Sequence, residues 1–279
     1  MRESSASALL EFSTRMIARD AQARIVAVEP RPLPYFTVLL EVPDHYAAVE
    51  AGQFVMIETR PGLEPYLRRA FSVHDVSSAS DGTRIELLGK VVGRGTRALS
   101  RARAGESRAL LGPLGRAFAM PESGPVALVA GGVGSAPLLL LARQLLARGV
   151  RFDFYYGGRA SVDLARLEDF RALTERAGGE LIAATEDGSL GVRGRVTEPL
   201  AAPLAAGRYR ATYSCGPMPM LARLAEIAAA AGVPGEAALE TEMGCGFGAC
   251  LGCAVPHVSG RYALCCKDGP VFRLDEVRW

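Results

Sequence analysis

The sequence predicts three units in succession: an antiparallel β-barrel, an α/β domain built on a parallel sheet, and a C-terminal module held by its cysteines. Short β-branched segments separated by Pro and Gly predict the barrel. Strands that alternate with helices from Gly124 onward predict the parallel sheet. Five of the six cysteines lie between Cys245 and Cys266, which predicts the third unit. We place an extension at 1–20, the barrel at 21–122, the α/β domain at 123–232 and the cysteine module at 233–279.

The composition of the 279 residues is that of a globular protein. Hydrophobic residues make up 49% and charged residues 22%, which excludes a disordered chain. The net charge of +2 and the aromatic content of 7% argue against binding to nucleic acid or to anionic lipid. Glycines interrupt the most apolar window, 126–147, so no membrane span is expected. The first 20 residues lack an apolar signal segment and the cysteines are clustered, so we expect a cytoplasmic location.

The individual elements follow from hydrophobic periodicity and from the turn residues between them. The barrel region contains predicted strands at 23–28, 35–42, 53–58 and 83–92, and one predicted helix at 96–103. The α/β region contains predicted strands at 126–130, 151–156, 180–185 and 210–214, with predicted helices at 135–148, 164–177 and 218–231. Strands that alternate with helices in this way form a parallel sheet with helices on both faces.

The cysteine module carries the most specific signal. Cys245, Cys250 and Cys253 have C-x4-C-x2-C spacing, the order found in plant-type 2Fe-2S ferredoxins, and Cys265 and Cys266 are both available as a fourth ligand. Spacing does not decide between these two. The intervening glycines let the backbone approach a cluster closely and direct N–H groups towards its sulfurs. A zinc ribbon also uses four cysteines, but as two C-x-x-C pairs.

A glycine turn follows the first strand of the α/β domain and opens a helix. Gly131, Gly132 and Gly134 allow a backbone approach to a pyrophosphate, and the start of the helix offers free N–H groups. Ser135 is the expected N-cap, and Pro137 suits the first turn. The spacing departs from G-x-G-x-x-G, so a turn without a ligand is the alternative interpretation.

The barrel carries a second set of candidate binding residues. An arginine followed by an aromatic and a hydroxyl, as in Arg69, Phe71 and Ser72, suits a flavin and its diphosphate. A further glycine turn before Thr96 offers another anion site. Two phosphate sites, one in each domain, favour a flavin dinucleotide on the barrel and a nicotinamide dinucleotide on the α/β domain. At the end of the last α/β strand, Cys215 either faces the same cleft or is a small buried apolar residue.

Together these motifs resemble the ferredoxin–NADP reductase superfamily. The cysteine tail and the residues that follow it, 266–272, are similar to those of the electron-transfer subunits of class 1B dihydroorotate dehydrogenases. The resemblance extends from Ala21 to the C-terminus and favours Cys266 as the fourth cluster ligand, because this cysteine directly precedes the Lys-Asp-Gly-Pro-Val-Phe run. It also implies FAD contacts from Arg69, Ala70, Phe71, Ser72, Leu88, Gly89, Lys90, Gly95 and Thr96.

The resemblance further implies an electron relay. A partner subunit that contains FMN oxidises dihydroorotate in pyrimidine biosynthesis, and its electrons pass through the cluster and FAD of this chain to NAD+. Two copies of each subunit are implied. This chain shows no general base or orotate pocket in its sequence, so we expect it to need the partner. No acidic residue marks NAD over NADP, and Arg159 suits a 2′-phosphate, so the preference for NAD rests on the resemblance alone.

Two other interpretations remain open at this point. The same cofactors would serve an NAD(P)H-dependent reductase of another redox partner, such as a sulfide, a ferredoxin or a hydrogenase. A regulatory protein with a structural zinc module would need none of them. Metal analysis separates these classes, because two irons with two labile sulfides per chain exclude the zinc protein.

Overall fold

A computed structural model describes residues 19–32, 34–62, 64–80 and 82–279. Most of the predicted N-terminal extension, residues 1–18, lies outside the described residues. The last two residues of that predicted extension, Arg19 and Asp20, are the first residues of a strand. Within the described part of the chain, none of the helices has the length and hydropathy of a membrane-spanning segment.

The N-terminal domain is a closed barrel of six antiparallel strands in the order β1-β2-β5-β4-β3-β6, as the sequence predicts. Its side chains alternate between a buried and a more exposed face along β5 and β6, an alternation that is typical of half-buried strands. The strand β6 was not predicted, because Gly112 and Pro113 interrupt its pattern. The helix α1 begins two residues before its predicted start and ends four residues before its predicted end. The barrel elements are β1 (Arg19–Pro30), β2 (Tyr35–Val42), β3 (Phe54–Ile57), β4 (Arg69–Ala79), β5 (Gly82–Lys90), α1 (Arg94–Leu99) and β6 (Ser107–Leu114).

The remaining residues form one seven-stranded sheet with helices against it. The strand order is β10-β9-β8-β7-β11-β12-β15, with all neighbours parallel except the antiparallel pair β12 and β15. The elements are β7 (Val126–Gly131), α2 (Leu138–Ala147), β8 (Phe152–Gly158), α3 (Leu167–Arg176), β9 (Leu181–Thr185), β10 (Val192–Arg193), α4 (Thr197–Ala205), β11 (Thr212–Cys215), α5 (Met218–Ala231), β12 (Gly235–Ala238), β13 (Ala254–Pro256), β14 (Tyr262–Leu264), α6 (Cys265–Asp268) and β15 (Val271–Arg273).

The cysteine module is structurally continuous with this sheet. Its first strand, β12, pairs with β11, and its last strand, β15, pairs with β12 at the sheet edge. The boundary that we placed at 232/233 therefore falls inside the sheet. Only the cysteine loop and the β13–β14 hairpin project from it, because β13 and β14 pair with each other alone.

The strand order reverses at β7, between β8 on one side and β11 on the other. The carboxyl ends of β7 and β11 lie side by side, with Ala130 opposite Cys215. Such a switch point opens a crevice in which ligands of parallel sheets bind. The glycine turn lies here: Gly132–Ser135 forms a 3-10 turn, and α2 begins at Leu138, three residues later than predicted.

Ion pairs and a buried histidine join the barrel to the α/β domain. Arg143 on α2 lies 3.1 Å from Asp75 on β4, and Arg166 before α3 lies 2.5 Å from Glu86 on β5. The Nδ1–H of His74 donates to the carbonyl of Ala136 at 2.7 Å. Burial lowers the pKa of His74 to about 3, so this histidine is neutral at physiological pH. These contacts fix the shape of the cleft between the two domains.

We expect Gly134→Ala to destabilise the fold. A Cβ at this position would lie 2.4 Å from the backbone oxygen of Cys215, and backbone atoms cannot move aside as a flexible side chain can. Overpacking of this kind costs about 2 kcal/mol. Urea unfolding followed by circular dichroism measures the loss. The matched control is Gly93→Ala, where a Cβ meets nothing within 4 Å; an equal loss in the control would contradict the steric explanation.

Candidate functional site

Four thiols of the cysteine loop and α6 form two pairs. The sulfurs of Cys253 and Cys266 are 3.2 Å apart, and the thiol of Cys245 is within hydrogen-bonding reach of Cys250. Among the described residues, no three Cys, His, Asp or Glu side chains are arranged to hold a single metal ion. Two thiol pairs side by side are the donor set that a cluster with two irons needs, and thiolate is the usual ligand of such clusters. The residues present therefore fit a 2Fe-2S cluster.

The loop backbone supplies N–H groups to these sulfurs. The amide of Ala249 donates to the sulfur of Cys245 at 3.3 Å, and the amide of Cys266 donates to that of Cys253 at 3.4 Å. Burial opposes ionisation of Cys245, but the amides of Cys250, Phe247 and Ala249 outweigh it and lower its pKa to about 6. The loop curls in this way because Gly246 and Gly248 adopt φ values of +84° and +90°, which favour glycine.

Cys265 points away from the thiol pairs. Its Sγ donates to the carbonyl of Leu239 at 3.4 Å, and its side chain is fully buried. Burial raises the pKa of Cys265 to about 11, so it stays a thiol. The structure thus places Cys266, and not Cys265, beside Cys253.

The candidate flavin-binding residues lie where β4 begins and β5 ends. Arg69 donates to the carbonyls of Leu67 and Arg68, and no carboxylate among the described residues pairs with it. Its guanidinium lies against Gly95, where a Cβ would be 2.9 Å from Nε. The hydroxyl of Thr96 accepts from the amide of Gly93 at 3.1 Å and holds this turn together. An unpaired cation beside a glycine turn fits a diphosphate.

Three strands meet beside this cation: β4 carries Phe71, β5 carries Gly89 and β2 carries Phe36. Phe71 packs edge-on to Phe36 with ring centroids 6.5 Å apart. Gly89 leaves room between them, since a Cβ there would lie 2.6 Å from the Phe36 ring. Ala70 and Ser72 flank Phe71 on β4, and Leu88 precedes Gly89 on β5. Phe36 and Phe71 are buried in the barrel core, whereas Ala70 and Ser72 are partly exposed beside Arg69.

A cleft of about 560 Å³ opens at the switch point of the sheet. Gly131 and Gly132 form part of its wall, and Gly131 is in close contact with Pro217, which excludes any side chain. The other lining residues come from both domains and include Lys90, Val133, Gly157, Gly158, Arg159, Asp163, Glu186, Arg195, Thr197, Met220, Arg223 and Glu240. The volume and the glycine wall suit a nucleotide.

The other two residues of the predicted nucleotide motif lie behind this wall. Gly134 packs against the backbone of Cys215. The prediction that Ser135 caps the helix is wrong: Ser135 lies in the 3-10 turn, two residues before the N-cap, and α2 has no side-chain cap. Its fully buried hydroxyl instead accepts a hydrogen bond from the hydroxyl of Tyr156 at 2.8 Å. Because the 3-10 turn precedes α2, the side chain of Ser135 is buried inside the domain and does not cap the first amides of α2.

Cys215 lies under the cleft and not in it. Its side chain is buried, and its Sγ is 3.9 Å from the carboxylate of Glu240, which lines the cleft. Burial and the charge of Glu240 raise the pKa of Cys215 well above its usual value, so it is a thiol and not a nucleophilic thiolate. Glu240 is exposed to the cleft, but neighbouring protein atoms partly desolvate its carboxyl group and raise its pKa.

Three acidic residues of the cleft were missed by the sequence analysis. Glu240 and Asp163 belong to no motif; they follow β12 and β8 of the same sheet, and the sheet topology brings them to the cleft. Glu186 follows β9 directly and lines the cleft together with Arg159, while its amide donates to the carbonyl of Gly158 at 3.1 Å. An acidic residue at the end of a parallel strand is a signal that sequence reasoning can use, because such residues bind ribose hydroxyls.

Two segments of the chain match known domain families. Residues 240–278 match the iron-sulfur cluster binding domain of dihydroorotate dehydrogenase B, and residues 128–226 match the oxidoreductase NAD-binding domain. The first match covers all the thiols of the two pairs. The second covers most of the sheet strands that form the cleft.

Curated relatives match almost the whole chain. The electron transfer subunit of dihydroorotate dehydrogenase B (NAD(+)) from Desulforamulus reducens is 37% identical over 263 residues, which are 92% of this chain and 97% of that protein. The subunit of the same description from Bacillus caldolyticus is 38% identical over 234 residues, 82% of this chain and 86% of that protein. Both alignments leave little of either protein unmatched.

Solved structures share the fold. A structure of an NADH-dependent reduced ferredoxin–NADP oxidoreductase superposes with a TM-score of 0.79 at 29% identity, and covers 92% of this chain and 90% of its own. A cytochrome P450 reductase from Amycolatopsis superposes with a TM-score of 0.65 at 28% identity over 77% of this chain and 66% of its own. The architecture is therefore that of the ferredoxin–NADP reductase superfamily.

The two neighbouring cysteines of α6 should respond differently to substitution. We expect Cys266→Ser to lose at least half of the iron and most of the visible cluster absorption, because an alcohol is a poor ligand for iron. Cys265→Ser should keep both, since Cys265 lies away from the thiol pairs. Iron analysis and absorption spectra of anaerobically purified protein measure the difference. Loss of iron in Cys265→Ser alone would contradict the placement of the ligands.

Proposed function

The chain belongs to the family of electron transfer subunits of dihydroorotate dehydrogenase B (NAD(+)), and from this we propose how its residues carry electrons from a partner subunit to NAD+. It is an oxidoreductase subunit with FAD, an iron-sulfur cluster and NAD as its cofactors. We propose that the partner is the FMN-containing subunit that oxidises dihydroorotate, and that the electrons leave this chain as a hydride on NAD+.

The observation that carries the proposal is the short link between the cleft and the thiol pairs. Glu240 lines the cleft, and Cys245 follows it after only five residues. Five residues span at most about 18 Å even when fully extended. The loop also contacts the barrel, because Gly246 lies against Met56 of β3. Such proximity supports electron transfer between a cluster at the thiols and a flavin at the cleft.

We propose specific residues for each cofactor. Arg69, Gly95 and Thr96 would hold the diphosphate of FAD, and residues 70–72 and 88–90 would line the rest of the flavin. Cys245, Cys250, Cys253 and Cys266 would hold the 2Fe-2S cluster. Gly131 and Gly132 would border the NAD site, while Gly134 and Ser135 support that wall from behind. A bound flavin supplies the needed chemistry, since it exchanges single electrons with a cluster and a hydride with a nicotinamide.

Glu240 lines the cleft, and the thiol of Cys215 lies beneath it. Their raised pKa values keep both groups protonated to a greater extent than in water. When protonated, the Glu240 carboxyl group can both donate and accept a hydrogen bond in the cleft without carrying a charge. We propose that Glu240, with Cys215 beneath it, orients the nicotinamide.

We propose that the partner docks on the face of the cysteine loop. Phe247 and Leu251 are large apolar residues with 58% and 62% of their surface exposed, and Cys250 between them is exposed as well. Exposed apolar residues of this size mark interaction surfaces. A partner seated there would bring its own cofactor close to the thiol pairs.

Three broader proposals accompany this function. The domain division of 21–122, 123–232 and 233–279 is proposed as the functional division into FAD, NAD and cluster units. A heterotetramer with two copies of each subunit is proposed from the family resemblance. A cytoplasmic location is proposed because the six free cysteines suit a reducing compartment.

The proposed function predicts that this chain and its partner subunit catalyse different steps when they are purified separately. We expect NADH to bleach the flavin band of this chain alone, because the hydride acceptor lies within it. Oxidation of dihydroorotate with reduction of NAD+ should need the partner. Stopped-flow absorbance and steady-state assays measure these steps. Turnover of dihydroorotate by the isolated chain, or no flavin bleaching by NADH, would contradict the proposal.

Calorimetric titration of this chain with the purified partner subunit tests the docking face. Phe247→Asp should weaken association with the partner about tenfold, since it removes an apolar contact and buries a charge. Val192→Asp is the matched control, because Val192 is an exposed apolar residue on β10 at the opposite edge of the sheet. Equal weakening by both variants would contradict the placement of the face.

Glu186 should set the preference for NAD over NADP. Its carboxylate can accept hydrogen bonds from the ribose hydroxyls of NAD and repels the 2′-phosphate of NADP. We expect Glu186→Ser to raise kcat/KM for NADPH relative to NADH about tenfold, which corresponds to about 1.4 kcal/mol. Flavin reduction by the two nucleotides measures this ratio. Glu168→Ser, on the exposed face of α3, is the control and should leave the ratio unchanged. An unchanged ratio in Glu186→Ser would contradict the role of Glu186 in nucleotide preference.

A further inference from the structure

The chain uses lysine at two positions only. Lys and Arg together number 32, and all but Lys90 and Lys267 are arginines. Lys267 follows the cluster ligand Cys266, whereas Lys90 ends β5 and lines the cleft. Almost all the positive charges of the chain are guanidinium groups, but the cation of β5 that faces the cleft is an ammonium group.

Lys90 belongs to the barrel, but its ammonium contacts the α/β domain. Its Nζ lies 3.5 Å from Oδ1 of Asp163, in the turn after β8, and 5.3 Å from the ring centroid of Tyr35. The hydroxyl of Tyr35 donates to the same Oδ1 at 2.8 Å. Tyr35 also lies beside the glycine turn, because a Cβ on Gly132 would be 3.7 Å from its hydroxyl. The Lys90 ammonium is therefore close to the glycine wall of the cleft.

The ammonium still has donors to offer. Among the described residues, Asp163 is the sole hydrogen-bond acceptor of Lys90, and an ammonium carries three N–H groups. The side chain is partly open to the cleft. Two donors therefore remain for an anionic group that enters beside residues 131 and 132.

An arginine would not serve in this place. A guanidinium opposite a carboxylate forms a bidentate pair, which would bind the cation to Asp163 in a fixed plane. An ammonium is a compact point charge that contacts Asp163 with one donor and turns the others towards a second anion. The cation–π contact with Tyr35 holds the Lys90 ammonium near the cleft.

We propose that Lys90 is the cation that recognises the diphosphate of the nicotinamide dinucleotide, and that Asp163 moderates this binding by competing for the same ammonium. The inference rests on the proposed function, in which the cleft binds NAD+. It adds that a residue of the barrel, already expected near FAD, reaches across to the second nucleotide. The carboxylate of Asp163 then weakens the binding of the diphosphate and favours release of the product.

Calorimetric titration of the oxidised protein tests the proposal without turnover, because oxidised flavin does not react with NAD+. The probes are NAD+, ADP-ribose, which keeps the diphosphate, and AMP, which lacks it. Lys90→Met should weaken the binding of NAD+ and ADP-ribose about tenfold and that of AMP by less than twofold. Arg101→Met removes one charge from an exposed site away from the cleft and should leave all three affinities unchanged.

Two further variants test whether the site needs an ammonium group or only a positive charge. Lys90→Arg keeps the charge, yet we expect about fivefold weaker binding because of the bidentate pair with Asp163. Asp163→Asn keeps the acceptor for Tyr35 but removes the competing charge, so it should bind NAD+ about threefold more tightly and should restore affinity to Lys90→Arg. Flavin absorbance and the thermal midpoint check that each variant is folded. Because Asp163→Asn changes affinity in the opposite direction, the test does not depend on Lys90→Met being folded.

Each outcome is decisive. Wild-type affinity for NAD+ in Lys90→Met or in Lys90→Arg would overturn the proposal, as would loss of NAD+ binding with unchanged ADP-ribose binding. Weaker binding in Asp163→Asn would overturn the competing role of the carboxylate. If the wild-type protein bound no NAD+ at all, the proposed function itself would fail, which is distinguishable from every result above.

Discussion

The pairing of β12 with β11, and of β15 with β12, is the constraint on which both halves of the site depend. The strand β11 ends at Cys215 beside the cleft, whereas β12 leads directly through Glu240 into the cysteine loop. Backbone hydrogen bonds between adjacent strands fix their separation at about 4.8 Å. The cysteine loop and the nucleotide cleft therefore begin at the ends of neighbouring strands of one sheet, and a cluster module tethered by a flexible linker would not have this fixed starting point.

The contact between the barrel and the sheet decides the shape of the cleft. Glu86 pairs with Arg166, Asp75 pairs with Arg143, and neutral His74 donates to Ala136. The carboxylates of Glu86 and Asp75 are desolvated at this interface, and burial raises the pKa of each, so their arginines are needed to keep them charged. Removal of one partner would leave a desolvated charge at the interface. The two domains are thus locked in one orientation while the cleft between them stays open.

The sequence predicted the elements whose ends carry strong turn signals. Predicted β2 coincides with Tyr35–Val42, which lies between Pro34 and Pro43, and predicted α5 coincides with Met218–Ala231, which lies between Pro217 and Gly232. The barrel and the parallel sheet followed from such segments and are confirmed. Six strands in the described part of the chain were missed: β6, which Gly112 and Pro113 interrupt, and β10, β12, β13, β14 and β15, which are only two to four residues long. Short strands of this kind are stabilised by their neighbours and not by their own pattern.

By itself, the sequence determined the chemistry that its contiguous motifs encode: thiols at cluster spacing, glycine turns for phosphates, and an arginine before an aromatic and a hydroxyl. Only the tertiary structure decided how groups from distant segments meet. It turned Cys266 towards Cys253 and Cys265 towards Leu239, because successive side chains of the short helix α6 point in different directions. It also brought Lys90 of the barrel to Asp163 of the α/β domain. Contacts of this second kind depend on the packing of two domains, and no local pattern of residues contains that information.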